Sequence, residues 1–395
     1  MRRLIIGGIC LSEPGTMGGN SKITLEIARH LCAGREVHFI VPERKVWTVT
    51  DALPGRDEIR IHPVVSFAGG EMRHPLAAIR HYKREIDRVL SEIGAGPDDD
   101  YFGCSDFYAE EAPALSLQRK YGFRLIPTAF LFVPNPVENL CRGYGFPPFT
   151  YFLAWLYAKV YVRFAVRRAA GFVITNESDF RHFPRRFREG RLFPFYGGVN
   201  VDQIPAGEVP RTRDVVFCSR LHPQKGIDGF LDVWKRIREK SDARLTVIGN
   251  GAPDYERHLK EKAARLGVVD SIDWLGYVNN EAKYGIYRSA RVFVHPTVFD
   301  NNGMVAAEAL CSGLPVVMYD LPALRHVYDV GCLKVPYGDK DAFAAAVVEL
   351  LADPSGMAPT AEQVSALRRK WDWANRVQSF SAWLAGLVHG PSDRS

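Results

Sequence analysis

The chain of 395 residues is long enough for two domains of ordinary size, and 47% of its residues are hydrophobic against 24% charged. These values exclude intrinsic disorder as the main state, because 23 Phe, 16 Tyr and 7 Trp supply ample core material. Scattered Gly and Pro exclude a collagen-like chain, and no apolar run reaches the ~18 residues of a membrane-spanning helix.

Charge and cysteine content give two further indications. The net charge is +6, and residues 142–191 alone hold ten Arg and Lys against three Asp and Glu. Such a local excess of positive charge indicates an anionic partner, either a membrane surface or phosphate groups. The seven cysteines form no C-x-x-C pair, which predicts reduced thiols in a cytoplasmic protein without a structural zinc site.

Predicted strands and helices alternate through the first half of the chain. Residues 3–11 are predicted to form a buried β-strand rather than a short signal peptide, because no small-x-small cleavage pattern follows. Further strands are predicted at residues 36–42, 123–132 and 171–175. This βαβ alternation predicts a parallel sheet that is covered on both faces.

A linker rich in Pro, Gly and charge is predicted at residues 201–213, and the same alternation begins again after it. The first helix beyond it has apolar residues at helical spacing, namely Ile227, Phe230, Leu231, Trp234 and Ile237. The predicted organisation is two Rossmann-like halves, residues 1–200 and 214–359, followed by a helical tail over residues 360–395.

Two cations stand in the loop Ser219–Gly226, between a predicted strand and a predicted helix. Arg220 and Lys225 would form a diphosphate site, because a helix dipole and free N–H groups favour negative charge at a helix N-terminus. The alternative is a solvated loop with two surface cations. Gly249 and Gly251 follow the next strand and permit close approach of a ligand, although a turn without a ligand fits equally.

Two acids, Asp300 and Glu308, are separated by seven residues across a loop and the start of a helix. The helix around Glu308 is otherwise apolar, so its carboxylate needs a partner. The hydroxyl pair of a ribose would serve. The alternative is a buried Glu that pairs with a local backbone group or an arginine.

Together and in order, these motifs resemble glycosyltransferase family 4, the large family of retaining sugar transferases with the GT-B fold. The matching elements are Gly18-Gly19, Gly197–Asp202, Ser219–Leu221 with Lys225-Gly226, Val247–Gly251, Leu275–Val278, Asp300–Glu308 and Lys370–Trp373. The resemblance covers residues 210–350 well and the first half more loosely.

The resemblance implies an α/β protein with two Rossmann-like parallel-sheet domains facing each other across a cleft, the first for the acceptor and the second for the nucleotide sugar. It implies a retaining glycosyltransferase that moves a sugar from a nucleotide-diphosphate sugar to a glycan or lipid-linked acceptor, in polysaccharide or glycolipid synthesis. It implies no cofactor and no metal. Two alternatives stay open: an epimerase or hydrolase of nucleotide sugars on the same fold, and a non-catalytic scaffold that binds them.

The resemblance also implies a role for each motif residue. Arg220 and Lys225 would hold the diphosphate as the leaving group, and Glu308 would bind the ribose hydroxyls. Asp300 would bind the donor sugar, together with the backbone N–H groups of Asn302, Gly303 and Met304. The other donor-binding positions are Gly18, Gly19, Gly249, Gly251, Tyr277 and Val278.

Two departures from the family pattern bear on the donor sugar. The family's first acid is usually Glu where this chain has Asp300, and many members carry His where Phe130 stands here. Both changes leave the diphosphate site intact. They predict either a weakened or lost activity or an altered specificity, with a sugar that is 6-deoxy or altered at C6 as the expected donor.

Three further segments are candidates for binding. Residues 98–100 (three Asp) are predicted to form a solvated turn rather than a metal site. Residues 144–170 hold nine aromatic residues together with Lys159, Arg163 and Arg167 at helical spacing, which fits an interfacial helix on an anionic membrane surface. The alternative is an aromatic core helix with a solvated face. The basic stretch 181–191 is not expected to bind nucleic acid, because no nucleic-acid-binding fold accompanies it. The expected location is the cytoplasm, with the protein peripheral on the inner face of the membrane.

Overall fold

The computed structural model describes residues 2–12, 18–69, 71, 73–130, 132, 136–137, 148–354 and 356–387. The chain forms two compact units. Unit 1 comprises Met1–Glu138, Pro147–Gly197 and Ala374–Ser395, and unit 2 comprises Asn139–Phe146 and Gly198–Trp373.

Unit 1 is built on parallel strands with helices between them. Its strands are β1 (Leu4–Gly7), β2 (Val37–Pro42), β3 (Ile59–Val64), β4 (Asp100–Gly103), β5 (Arg124–Ile126), β6 (Thr128–Ala129), β7 (Phe172–Ile174) and β8 (Leu192–Pro194). Its helices before the linker are α1 (Gly19–Leu31), α2 (Val46–Ala52), α3 (Pro75–Glu92), α4 (Tyr108–Tyr121), α5 (Pro148–Ala165) and α6 (Arg185–Arg188). One parallel sheet has the order β3-β2-β1-β4-β5 and a second has the order β6-β7-β8.

The strand predicted at residues 123–132 is divided between these two sheets. Pro127 separates β5 from β6, and a proline has no N–H group to donate to a ladder. Its carbonyl still accepts a hydrogen bond of 3.0 Å from the N–H of Val173, in the second sheet. The chain therefore changes sheets at the proline.

Unit 2 repeats the alternation around one larger sheet. Its strands are β9 (Arg213–Cys218), β10 (Leu245–Ile248), β11 (Ile272–Gly276), β12 (Ala290–His295), β13 (Val316–Tyr319) and β14 (Cys332–Val335). The helices are α7 (Ile227–Arg238), α8 (Pro253–Arg265), α9 (Asn280–Arg288), α10 (Met304–Cys311), α11 (Lys340–Ala352) and α12 (Ala361–Trp371). The last helix of the chain, α13 (Trp373–Gly386), belongs to unit 1 from Ala374 onward. The strand order is β11-β10-β9-β12-β13-β14, and all pairings are parallel.

The apolar stripe predicted for the first helix of unit 2 is confirmed. Ile227, Phe230, Leu231, Trp234 and Ile237 are each at most 1% exposed on α7. Burial of large apolar side chains contributes about 1.5–3 kcal/mol each, so this face fixes α7 against the sheet. The N-terminus of α7 is thereby held at the carboxyl end of β9.

The last helix completes the core of unit 1. Phe380 of α13 is fully buried and packs against the rings of Phe102, Phe193 and Phe195 at 6.0, 5.6 and 5.9 Å between centroids. Edge-to-face contacts of this kind stabilise aromatic clusters beyond the area that they bury. The C-terminal tail is therefore part of the first unit's core.

The prediction of a solvated turn at residues 98–100 is wrong for Asp99 and Asp100, which are both buried. Asp99 is 3% exposed and pairs with Arg3 at 2.8 Å, and Asp100 is fully buried and pairs with Arg35 and with Arg124. Asp100 opens β4 and lies beside Arg124, which opens the neighbouring strand β5, while Arg35 lies two residues before β2. Both carboxylates are held by arginine in the protein interior.

Two adjacent acids of α4 are buried beneath the carboxyl ends of β1 and β4. Glu110 accepts a hydrogen bond of 3.0 Å from the N–H of Cys10, and Glu111 accepts one of 2.6 Å from the hydroxyl of Tyr161. Both carboxyls are fully inaccessible to solvent. Burial raises the pKa of Glu110 to about 7, and it raises the pKa of Glu111 well above its ordinary range.

Candidate functional site

The predicted site residues of unit 2 lie at the carboxyl edge of its sheet. β9 and β12 are neighbours, so the segments that follow them, 219–226 and 296–303, run side by side. Ligands of open parallel sheets bind at this edge, where loops from adjacent strands meet. Two motifs that are about 75 residues apart in the chain are thus brought together, as the ion pair between Lys225 and Asp300 shows.

The two loops are locked together through backbone and side chain. Gln224 donates from its side-chain amide to the carbonyl of Phe299 at 2.8 Å, and its own carbonyl accepts from Val298 at 3.1 Å. Gly226 has φ of +73°, and a Cβ placed there would lie 1.9 Å from the carbonyl oxygen of Pro296. Glycine is therefore required at this contact. Gln224 is a positioning residue that the sequence reasoning missed.

Lys225 and Asp300 form a direct ion pair. Nζ lies 2.6 Å from Oδ2, and the two side chains are 19% and 12% exposed. Burial raises the pKa of Asp300, but the Lys225 ammonium, together with His295 and the N–H of Asn302, outweighs burial and holds that pKa well below its usual range. The acid is therefore ionised throughout the physiological range.

Asp300 also caps the start of α10. Its Oδ1 accepts hydrogen bonds from the N–H groups of Asn302 at 3.0 Å and of Gly303 at 3.1 Å. These two N–H groups, predicted to bind the donor sugar, are engaged by the carboxylate in this structure. Met304 opens the helix, and the first N–H groups of a helix have no acceptor within it.

His295 lies beside this acid at the end of β12. The ring is 2% exposed, and Nε2 is 3.8 Å from Asp300 Oδ2 without a hydrogen-bond partner among the described residues. Burial lowers the pKa of His295 to about 4, although the carboxylate of Asp300 opposes the shift. The imidazole is therefore neutral at neutral pH. No motif singled this residue out.

Glu308 is held by a cation that sequence reasoning did not find. It lies in the second turn of α10, and its Oε1 accepts from Lys283 Nζ of α9 at 2.8 Å. Its second oxygen, Oε2, is buried and has no partner within the described part of the chain. One oxygen of the carboxylate is thus anchored, and the other is a buried acceptor whose hydrogen-bonding capacity is not used by the described residues.

The two glycines after β10 allow backbone segments to approach each other. A Cβ at Gly249 would lie 1.9 Å from the carbonyl oxygen of Ser219, and one at Gly251 would lie 2.3 Å from that of Leu221. Their N–H groups donate within the protein, to the carbonyl of Gly276 and to the side chain of Glu256, both at 2.7 Å. These glycines seat the loop that carries Arg220.

The remaining predicted residues of unit 2 border this edge. The guanidinium of Arg220 is exposed and has no hydrogen-bond or ion-pair partner among the described residues. Tyr277 is 75% exposed directly after β11, and Val278 is half-buried. An unpaired cation and an exposed aromatic ring are both available to a ligand.

Three predicted residues belong to unit 1. Gly18 precedes α1 and donates its N–H to Ser12 Oγ at 2.8 Å, and Gly19 is exposed in the first turn. Phe130 follows β6, and its carbonyl accepts from Thr175 Oγ1 at 2.6 Å. Each lies at the carboxyl end of a strand of its own unit. In the described residues we find no cluster of three or more His, Cys, Asp or Glu arranged to hold a metal ion.

A second surface of unit 1 lies on α5, within the segment predicted to contact a membrane; residues 144–147 fall outside the described part. Phe152, Leu156, Val160 and Phe164 form a row and are 42–55% exposed. The side chains of Lys159, Arg163 and Arg167 are exposed beside this row. Tyr161 and Ala165 are buried on the other side of the helix. None of the described helices is long and apolar enough to cross a membrane.

Most of the second unit is similar to proteins of known family. Residues 212–353 match the family model described as glycosyl transferases group 1. Over 192 residues the chain is 35% identical to a phosphatidyl-myo-inositol mannosyltransferase of Mycobacterium leprae, covering 45% of this chain and 49% of that protein. It is 27% identical to O-antigen chain mannosyltransferase B of Escherichia coli over 171 residues, covering 42% and 45%. The chain thus spans less than half the length of these curated relatives.

The similarity in structure extends over both units. The Anabaena protein HepE, solved in complex with UDP-glucose, superposes with a TM-score of 0.75 at 14% identity, covering 98% of this chain and 100% of that one. The predicted GT-B fold class, with two Rossmann-like parallel-sheet domains, is confirmed.

Proposed function

We propose that this chain, whose residues 212–353 match the family model of glycosyl transferases group 1, is a glycosyltransferase that uses a nucleotide-diphosphate sugar as donor. The acceptor is a glycan or a lipid-linked saccharide, and the product belongs to a polysaccharide or glycolipid. The relatives named above support this proposal, because both are mannosyltransferases, one for phosphatidyl-myo-inositol and one for an O-antigen chain.

The observation that carries the proposal is the meeting of the two loops at the carboxyl edge of β9 and β12. It brings Asp300 to within 2.6 Å of Lys225, in the loop that also carries Arg220, whose guanidinium is exposed and has no partner in the part of the chain that the structure describes. A diphosphate leaving group develops negative charge as its bond to the sugar breaks. Preorganised cations stabilise that charge in the transition state, and such electrostatic stabilisation usually accelerates a reaction more than any other single effect.

In the proposed reaction the glycosidic bond to the diphosphate breaks and the acceptor hydroxyl bonds to the anomeric carbon on the same face, with retention of configuration. The hydroxyl proton leaves with the diphosphate or passes to solvent. Arg220 and Lys225 neutralise the leaving group, so we propose that no divalent metal is needed. Asp300 binds a hydroxyl of the donor sugar, and Glu308 binds the ribose.

Transfer and product analysis test this proposal. Purified protein is incubated with mannose and glucose donors of different bases, with and without a panel of saccharide and lipid-linked acceptors, and the products are separated and their anomeric configuration determined. A retained linkage formed only with acceptor supports the proposal. Free sugar or an epimerised donor formed without acceptor would instead identify the hydrolase or epimerase alternative, and donor binding without turnover would identify a scaffold.

We further propose that α5 lies on an anionic membrane surface on the cytoplasmic side, where a lipid-linked acceptor is presented. The row Phe152, Leu156, Val160 and Phe164 is exposed to solvent although it is apolar. The basic residues beside it complement lipid phosphates. An apolar row bordered by a basic row is the pattern of helices that lie in the membrane interface.

A further inference from the structure

His295 is a buried polar residue beside the ion pair that joins the two loops. Its ring is 2% exposed, and its Nε2 lies 3.8 Å from Asp300 Oδ2. We propose that His295 is a positioning residue for the transfer reaction: when a donor diphosphate binds Lys225, the Nε2–H of His295 replaces the ammonium and holds the carboxylate of Asp300. This inference rests on the proposed function, since it assumes a diphosphate donor at this loop.

The surroundings of the ring favour the tautomer that carries its hydrogen on Nε2. Nδ1 lies 3.4 Å from the hydroxyl of Thr297, which is itself buried and can donate to it. A neutral imidazole whose Nδ1 accepts has its hydrogen on Nε2. The other tautomer would turn a nitrogen lone pair toward the carboxylate of Asp300, which repels it.

The Nε2–H group has no hydrogen-bond partner in the described part of the chain. A separation of 3.8 Å from Oδ2 is beyond the range of about 2.7–3.2 Å in which an N–H group binds an oxygen. Leaving a buried donor unpaired costs free energy. A movement of Oδ2 by about 1 Å toward the ring would form this bond and remove the cost.

Asp300 is held so that one of its oxygens can move while the other stays bound. Its Oδ1 accepts from the N–H groups of Asn302 at 3.0 Å and Gly303 at 3.1 Å. The hydroxyl of buried Tyr328 lies 2.7 Å from the carbonyl oxygen of Asn302 and 2.9 Å from that of Gly303, which fixes this turn. Rotation of the carboxylate about Oδ1 therefore moves Oδ2, the oxygen that faces both Lys225 and the imidazole.

A diphosphate competes well for Lys225. The ammonium lies 2.6 Å from Oδ2, but the side chain is 19% exposed and so is accessible to a ligand. A diphosphate carries more negative charge than a carboxylate, and lysine binds phosphate through charge-assisted hydrogen bonds. Removing one member of a largely buried ion pair leaves the other without compensation, which is costly. A hydrogen bond from His295 would lower that cost for Asp300.

The exchange would leave each charged group of the site with a partner. Lys225 would bind the phosphate, and Asp300 would bind the imidazole. Because burial lowers the pKa of His295 to about 4, the ring is neutral and the carboxylate keeps its charge. Under the proposed function, a charged acceptor of fixed orientation is what the donor sugar's hydroxyl requires.

A double-mutant cycle of nucleoside diphosphate affinity tests the inference. Wild type, His295→Phe, Asp300→Asn and the double variant are titrated calorimetrically with whichever of UDP, GDP and ADP binds wild type best. We expect His295→Phe to lose about tenfold in affinity, because Lys225 then leaves a carboxylate that gains no new donor. In the Asp300→Asn background the same substitution should change affinity less than about twofold, since an amide carries no charge that needs compensation.

Two further variants separate positioning from a structural role. His295→Gln offers an amide N–H close to the place of Nε2 and should keep most of the wild-type affinity. His38→Phe is the matched control, because His38 is also a histidine with 2% exposure but lies on β2 of unit 1, where it pairs with His62. It should lower the unfolding midpoint without changing the affinity. His295→Met replaces His295→Phe in the cycle if the latter does not fold.

Three outcomes would overturn the inference while wild-type protein binds the nucleotide. One is a loss by the same factor in both backgrounds, which would mark His295 as structural. The others are wild-type affinity in a folded His295→Phe protein, and a loss in His295→Gln as large as in His295→Phe. If wild-type protein binds none of the three nucleotides, the proposed function itself fails.

Discussion

The ammonium of Lys225 lies 2.6 Å from the carboxylate of Asp300, so the cation assigned to the diphosphate and the acid assigned to the sugar form one unit. Asp300 compensates the charge of Lys225 and also caps α10 through Asn302 and Gly303. Under the proposed function, an incoming diphosphate would compete with Asp300 for the lysine. The acid would then tune how strongly the loop binds the leaving group.

Asp300→Asn is predicted to separate binding from transfer. The amide oxygen can still accept from the two N–H groups, but Lys225 loses its counter-ion and becomes freer to bind phosphate. We expect nucleoside diphosphate affinity to stay equal or to rise, while transfer falls by about 100-fold or more, as for loss of a transition-state contact. Calorimetry measures the nucleoside diphosphate affinity, and initial rates measure the transfer activity.

Asp273→Asn serves as the control for this change, since Asp273 pairs with exposed Arg244 elsewhere in unit 2. It should leave both affinity and rate unchanged. A clear loss of nucleoside diphosphate affinity in Asp300→Asn would show that the acid supports the nucleotide loop rather than the sugar.

Arg220→Ala is predicted to lower the transfer rate by about 100-fold or more without lowering stability. The guanidinium is exposed and has no ion-pair partner among the described residues, so its removal leaves no buried charge uncompensated. Arg236→Ala, which removes an exposed arginine paired with Asp341, is the control.

Transfer by wild-type protein should also survive EDTA, and loss of activity that Mn²⁺ restores would contradict the metal-independent mechanism.

Vesicle binding should depend on both rows of α5. Replacing Lys159, Arg163 and Arg167 by Ser should weaken binding to vesicles containing phosphatidylglycerol by about 100-fold, at ~1 kcal/mol for each basic residue near the surface. Binding by the wild type should weaken as salt rises, because exposed charges are screened within ~10 Å at 0.1 M. Co-sedimentation at several salt concentrations measures this.

Arg80, Lys83 and Arg84 provide the matched control, because they are three exposed basic residues on α3 of the same unit. Their replacement by Ser removes the same charge and should leave vesicle binding nearly intact. If both triple variants lose vesicle binding to the same extent, the binding depends on the net charge of the protein and not on the position of the basic residues on α5. Absence of binding by wild-type protein at low salt would leave α5 as a core helix with a solvated face.

The local signals in the sequence predicted the alternation of elements and the buried face of α7. Both depend on periodicity within one segment, which is visible without knowledge of the fold. The apolar helix around Glu308 likewise indicated that its carboxylate needs a partner. The cation that pairs with it, Lys283, was not predicted, because the two residues meet only when α9 and α10 pack.

The errors have the same origin. The Gly and Pro residues before Asp98–Asp100 suggested a solvated turn, yet parallel pairing of β4 buries Asp100 between Arg35 and Arg124. Gln224 likewise had no local signal, since its partners belong to a segment about 75 residues away. Contacts between distant segments are fixed by the register of the sheet and not by the residues around each partner.

Glu110→Gln is predicted to stabilise the protein above neutral pH. Burial raises the pKa of Glu110 from 4.5 to about 7 in the folded state. Below about pH 4.5 both the folded and the unfolded state are protonated, and between 4.5 and 7 only the unfolded state ionises, so wild-type stability falls as pH rises. The variant should gain roughly 3 kcal/mol relative to wild type between pH 4 and pH 8.

Urea unfolding at pH 4, 6 and 8 measures this difference. Glu92→Gln, an exposed acid paired with Arg88 on α3, is the control and should show little dependence on pH. A constant difference between Glu110→Gln and wild type across the three pH values would mean that the pKa of Glu110 is the same in the folded and the unfolded protein, so that burial does not raise it.

Gly226→Ala is predicted to abolish nucleotide binding while the rest of unit 2 stays folded. Gly226 has φ of +73°, where a side chain is strained, and its Cβ would lie 1.9 Å from the carbonyl oxygen of Pro296. Since that oxygen belongs to the backbone, the loop must move, and the contacts of Gln224 and Lys225 to residues 298–300 must break with it.

Gly229→Ala, three residues on in α7, is the control, because a Cβ there would meet nothing within 4 Å. Circular dichroism and nucleoside diphosphate titration of both variants test this: a Gly226→Ala protein that binds with wild-type affinity would show that the close approach of the two loops is not needed for the site.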